Sequence, residues 1–379
     1  MDWFSNSKQG DAKKLISQLA DANRRDAAAQ ELINLGSDAV LPLIEALQTS
    51  DLKLVAIYQR ILARIPSASP ALIKALGSAH PLVRGRVAEI FSLSKDKAAV
   101  PALLEALRGE FFTVRARAAL ALGRIGDVNA IPPLLAALKD RENEVRMAVC
   151  QALGQFKDPS TFDELASILL DDPKIEVRQA AAKALGDSEH PDAIPFLMES
   201  LRDSFWWYER DKSISDLLTA IEKMGKAAVE PLIEALGDRE GTVRKLAATV
   251  LGKLQDVRAL DELGMTLYDL HHEVSEAAAE ALAQFGAPAI AVLGEALKHP
   301  EAAVREHAVI GLGKIQDARV ANLLVGMLDD PERFVKKQVI QSLGGLHDDK
   351  AKSALKEIAA DRADRELSTL AKSILEVDH

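Results

Sequence analysis

"VRARAALALGRIGD", residues 114 to 127, decides how this chain is read. Val114, Ala118, Ala121, Leu122 and Ile125 fall at i, i+4, i+7, i+8 and i+11, one apolar stripe of a helix with about 3.6 residues per turn. The stretch that follows, "AIPPLLAALKD", sets Ile131, Leu134, Leu135 and Leu138 at i, i+3, i+4 and i+7, a second stripe of the same kind. Both patterns are helices, and no segment shows sustained period-2 alternation.

The pair that opens the stretch returns along the chain as Val83-Arg84, Val114-Arg115, Val145-Arg146, Val177-Arg178, Val243-Arg244, Val304-Arg305 and Val335-Lys336, with Val274-Ser275 in the same register. Neighbours are 30 to 32 residues apart, and the interval from 177 to 243 is a double step. About 12 units of two helices result. Pro42, Pro101, Pro132, Pro195 and Pro231 stand near the start of first helices, where a missing N–H costs little. Gly36, Gly126, Gly225 and Gly286 close second helices at the place of a left-handed cap. Alanines such as Ala118, Ala119 and Ala180 to Ala182 let neighbouring helices approach closely.

A single hairpin cannot bury its own stripe, so stability must come from contact between successive units. With helices packed about 8–10 Å apart, the array is expected to be a curved rod with a large concave surface and no deep central pocket. The whole chain, 1–379, reads as one such array, with an N-terminal cap over about 1–36 that uses Trp3 and Phe4. A C-terminal cap over about 351–379 ends in "ELSTLAKSILEVDH".

The "VRxxAAxALGxIGD" phrase resembles the HEAT-like repeats of the phycobilisome-lyase type, over residues from about 11 to 375. The resemblance implies an all-α protein, an α-solenoid wound as a right-handed superhelix of about 12 helical hairpins, with second helices on the concave side. It also implies the usual role of such arrays, a protein-binding scaffold. A few relatives attach bilin chromophores, others are alkylpurine DNA glycosylases, and others again are di-iron hydroxylases.

Bulk properties narrow these options. The net charge of −10 opposes a nucleic-acid partner, which needs clustered Lys and Arg. No apolar run approaches the roughly 20 residues of a membrane span, and the N-terminus lacks a secretory pattern. One cysteine, Cys150, excludes an intrachain disulfide and fits a cytoplasmic protein. Cys150 stands where Ala119 stands one unit earlier and is expected to be buried packing. Gly-rich phosphate loops, GxSxG and HExxH are absent, so a non-enzymatic protein without cofactors is expected.

Three groups of residues remain. Arg84, Arg115, Arg146, Arg178, Arg244 and Arg305 sit in the first turn of a helix, where the macrodipole disfavours a cation. Acidic turns such as Asp140, Asp171-Asp172 and Asp329-Asp330 precede those helices, and a ladder of Arg and carboxylate staggered by one unit is expected to offset that cost.

The second group is "FWWYERDK", 205–212, which contains an insertion of about five residues in the seventh unit's turn. It holds Phe205, Trp206, Trp207, Tyr208 and Arg210. Either the second helix extends back through Tyr208 to Arg210 and buries these rings, or Trp206 or Trp207 stays exposed as an anchor for a protein partner. Phe111 and Phe112 occupy the equivalent turn of the fourth unit. In the bilin alternative implied by the resemblance, Trp206, Trp207 and Tyr208 stack on the chromophore while Arg210 or Arg244 pairs with its propionates.

The third group is His271-His272-Glu273 with Glu306-His307. A di-iron site would need more His-Glu pairs than these, so solvated turn histidines are expected.

Overall fold

The computed structural model describes residues 2–78, 80–202, 212–361 and 363–377. The described residues form twelve consecutive helix pairs and no strand, an all-α solenoid of stacked hairpins. They fall into two compact units, Met1–Ala193 and Ile194–His379, each with six pairs.

In the first unit the pairs begin with Asp2–Gln18 and Arg25–Leu35 and end with Phe162–Asp171 and Ile175–Ser188. Second helices pack on second helices: Pro81–Ser94 on Phe112–Ile125, that on Asn143–Gly154, and that on Ile175–Ser188. The second unit repeats the scheme from Lys212–Lys223 through Gly241–Leu254 and His272–Phe285 to Arg365–Val377.

The phrase explains each boundary. Gly126 takes φ +72°, the left-handed region that favours glycine, and ends its helix. Asp127 then accepts the Asn129 N–H and starts a short 3₁₀ turn that leads into the next first helix at Ile131. Lys95, Lys157, Glu189 and Gln255 occupy the glycine's place with φ of 52° to 54°, which sequence could not distinguish from an ordinary helix end.

The apolar stripes are buried as their spacing requires. Val114, Ala118, Ala121 and Leu122 are at most 3% exposed, and Leu134 is fully covered. Cys150 is fully buried in its alanine slot, and burial pushes its thiol far above the ordinary range. It is therefore unreactive packing.

The closest approach between second helices is at the glycine of "ALG". A Cβ placed on Gly123 would lie 2.5 Å from Ala152 Cα and 2.8 Å from its carbonyl oxygen. Gly154 meets Ala184 in the same way. In an isolated helix Gly123→Ala would stabilise by about 1 kcal/mol. Here the obstructing atoms are backbone and cannot rotate away, so overpacking at about 1–3 kcal/mol reverses the sign. Urea unfolding of the full chain should show the alanine variant less stable by about 2 kcal/mol; a more stable variant would contradict this packing.

Candidate functional site

The edge where first helices turn into second helices carries a recurring set of charged and exposed side chains. Seven of the second helices begin after the extended N-cap residues Phe111, Glu142, Lys174, Glu240, His271, Glu301 and Glu332. Two residues earlier an aspartate recurs. Asp140 Oδ1 accepts the Glu142 N–H at 3.0 Å, and Asp172, Asp238, Asp269 and Asp330 accept the equivalent N–H at 2.8–2.9 Å. This side-chain turn shapes the connection.

The recurring arginine ties two units together at that point. Arg115 donates through Nε and Nη2 to the Asp140 carboxylate of the next unit, at 2.6 and 2.9 Å. Its Nη1 donates to the carbonyls of Gly109 and Glu110, in its own turn, at 3.0 and 2.8 Å. Arg146 with Asp172, Arg244 with Asp269 and Arg305 with Asp330 repeat the fork at 2.5–3.0 Å. They repeat the carbonyl contacts as well.

The offset to the unfavourable macrodipole is thus twofold. The carboxylates account for part of it. The rest comes from carbonyls beyond the end of the preceding helix, where a cation is favoured.

The Arg305 side chain is 9% exposed and Asp330 2%. The Arg305 guanidinium holds the Asp330 carboxyl below the usual carboxylate range, against the opposing cost of burial. Asp140 and Asp269 are also lowered: burial alone would raise them, and their Arg and backbone N–H bonds prevail.

Two members of the expected ladder differ. Arg178 donates Nε to the Asp172 carbonyl at 2.6 Å, and the aspartate two residues after Leu201, Asp203, lies outside the described residues. Arg84 is a correction. The structure gives it no carboxylate, because Gly109 occupies the aspartate position, and its guanidinium instead lies 5.0 Å over the Phe111 ring. Its Nε is buried with no hydrogen-bond partner.

Sequence reading also passed over Arg86. Val55 fills the arginine slot of the second pair, and Arg86 reaches back from the third to bond the Leu47 carbonyl and, at 2.8 Å, the Thr49 carbonyl. Burial lowers the Arg86 pKa.

Phe111 and Phe112 are 38% and 39% exposed. In the first unit Leu52 opens an earlier second helix as Phe112 does, Leu82 is the second residue of the one between, and both are exposed too. In the second unit Leu270 and Phe334 stand exposed at such turns. Phe205, Trp206, Trp207, Tyr208 and Arg210 lie outside the described residues.

The histidines differ from the expectation of solvated turn residues. His271 is exposed, but His307 is 3% exposed on Ala302–Gly313, and its Nε2 lies 3.1 Å from His272 Nδ1. Its Nδ1 is buried without a partner. His307 takes the helix position that Ala148, Ala180 and Ala277 fill elsewhere, and aligning the units by that slot would have placed it inside. Among the described residues no three His, Cys, Asp or Glu side chains are placed to hold a metal ion.

Comparison with known proteins agrees with the architecture. The model described as HEAT repeats matches residues 69–148, 131–218, 216–283 and 290–375. That described as PBS lyase HEAT-like repeat matches 276–299. Deoxyhypusine hydroxylase-B of Oryza sativa subsp. japonica is 37% identical over 98 residues, 25% of this chain and 32% of the relative.

The karyopherin Kap121p bound to the SUMO protease Ulp1p is similar with a TM-score of 0.57 at 15% identity, over 98% of this chain and 48% of that one. Kap121p bound to Pho4p gives 0.54 at 14% identity, over 97% and 48%. At such identities the likeness is one of fold. This chain spans under a third of the curated relative and about half of the solved chains.

Two outcomes follow. Arg305→Ala leaves Asp330 buried and uncompensated and should cost about 3 kcal/mol in urea unfolding. Arg319→Ala, at an exposed pair with Asp317, should leave the unfolding midpoint nearly unchanged; equal losses for the two variants would refute the buried fork as a structural tie.

Burial first, and then His272, lowers the His307 pKa below its ordinary value of 6.5. Below about pH 6.5 the unfolded chain therefore binds the proton more readily, so this contribution to stability is full above that pH and lost as pH falls. His272, Glu276 and Glu306 are the ionisable neighbours that bear on this pair. Between about pH 7.5 and 5.5 the unfolding midpoint of His307→Ala should fall less than that of the unaltered protein; parallel curves would show that His307 is not the titrating group.

Proposed function

The chain belongs to the HEAT-repeat family, and on that premise we propose that it is a non-enzymatic scaffold that binds a partner protein along its second-helix face and its turn edge. The observation that carries this reading is the run of exposed apolar side chains at turn positions, Leu52, Leu82, Phe111 and Phe112 in one unit and Leu270 and Phe334 in the other. Large apolar groups held in water at recurring places on a rigid frame mark protein-binding surface. The solved relatives support the reading at the level of fold, since each is described as bound to another protein.

In this proposal Phe205, Trp206, Trp207, Tyr208 and Arg210 form the strongest anchor, because Trp, Tyr and Arg dominate binding energy where they are desolvated. Phe111 and Phe112 form a second contact. Arg115, Arg146, Arg244 and Arg305 hold the turns in shape and leave their neighbours free to bind.

A bilin-holding protein is the alternative, favoured by the PBS lyase HEAT-like match at 276–299. Mixing the purified protein with a linear tetrapyrrole separates the two, since binding changes the visible absorbance of the pigment.

The scaffold reading is tested by affinity capture with the unaltered chain, with Trp206→Ala plus Trp207→Ala, and with Phe111→Ser plus Phe112→Ser. Loss of one anchor should lower recovery of a specific partner by about tenfold or more. Equal recovery by all three removes both aromatic sites, and a pigment shift without any captured protein replaces the scaffold with the alternative.

A further inference from the structure

The turn edge follows a pairing rule, and one unit breaks it. The residue four positions into a second helix, counted from its N-cap, faces the residue two positions before the next N-cap. Arg115 with Asp140, Arg146 with Asp172, Arg244 with Asp269 and Arg305 with Asp330 are charged on both sides.

Where an uncharged residue takes the arginine's place, the usual second is not an aspartate. Val55 is matched by Ser78, and Ser275 by His299, each of which still accepts the turn N–H through its side chain. Asp238 is met by Arg202, Nε to Oδ2 at 2.9 Å. Only Arg84, among these described residues, has its guanidinium opposite a glycine, Gly109.

We infer that the groove beside Arg84 and Gly109 is a receptor for an aspartate or glutamate side chain of a partner protein, which completes the fork that Arg115, Arg146, Arg244 and Arg305 make internally. This deepens the scaffold reading and rests on it.

The groove is a cavity of about 380 Å³ bordered by Lys74, Arg84, Gly109 and Phe111. The Arg84 guanidinium carbon lies 5.0 Å from the Phe111 ring centroid, and an entering carboxylate would bind the in-plane edge of the guanidinium. The buried, unpaired Nε–H corresponds to the atom that donates to the carboxylate in Arg115 and Arg305. Glu105 and Glu110 also border the cavity and are exposed. Together with the net charge of −10 they favour a single carboxylate over a doubly charged phosphate.

The test uses the full chain with ¹⁵N-labelled arginine and reads the Nε–H resonances by NMR, that of Arg84 being identified by its loss in Arg84→Lys. The probe is the peptide acetyl-Leu-Asp-Asp-Pro-Glu-amide, a copy of residues 328–332, which carry the aspartate of an intact fork. It should shift the Arg84 resonance saturably and leave Arg115 and Arg305 in place. An analogue with both aspartates changed to asparagine should shift it much less.

Gly109→Asp supplies the carboxylate internally. It should place the Arg84 resonance at its shifted position and abolish the response; if this variant does not fold, the comparison of the two peptides decides alone. An unmoved Arg84, an equal response to the asparagine peptide, or a stronger response to inorganic phosphate each overturns the proposal. None of these results depends on Trp206 or Trp207, and loss of partner capture in Trp206→Ala plus Trp207→Ala does not bear on Arg84, whereas Phe111→Ser also alters the Arg84 groove.

Discussion

Backbone contact between consecutive second helices is the constraint on which the structure depends. Gly123 against Ala152 and Gly154 against Ala184 bring helix to helix at distances that no side chain at the glycine would permit. The small residues on either side follow from it, because a larger one would part the helices and expose the stripe of Val, Leu and Ile that each hairpin must bury on its neighbour. Within each unit the core is therefore a seam that runs from pair to pair, with Leu122, Leu134 and Leu153 fully covered along it. Everything else is displayed at the turns.

The arginine fork is the polar counterpart of that seam. A helix start is a poor place for a cation, yet Arg115, Arg146, Arg244 and Arg305 sit there because each also lies beside the carbonyls of the preceding turn and in the fork of the next unit's aspartate. One side chain thus closes a turn within its own unit and fixes the spacing to the following one. Departures from the pattern are compensated locally: Arg86 serves the turn that Val55 cannot, and Arg202 serves Asp238. At Arg84 the compensation is an aromatic face.

Much of this was legible in the linear chain. The recurrence of the Val-Arg pair every 30 to 32 residues specified paired helices, their number and their buried faces, since a stripe at helical spacing has no other way to leave water. The positive-φ helix ends at Gly36, Gly126, Gly225 and Gly286 were equally readable, because glycine at the end of a helix has a distinct conformational reason, although Gly36 and Gly286 pair that φ with ψ of −125° and −132° instead of the left-handed cap of Gly126. The same cap at Lys95 or Gln255 was not, as nothing in those side chains announces it. His307 was misread for a related cause: its burial depends on the helix from the unit before it, which supplies His272.

What the sequence by itself determined is therefore the repeat: which residues are helical, which are buried, and where turns fall. These follow from periodicity and from local backbone preference. Which arginine meets which carboxylate, and which meets none, was decided only by the tertiary stacking. That pairing joins residues about 25 positions apart across two units, and a one-residue change in a turn, or a glycine in place of an aspartate, reassigns the partner without altering either helix.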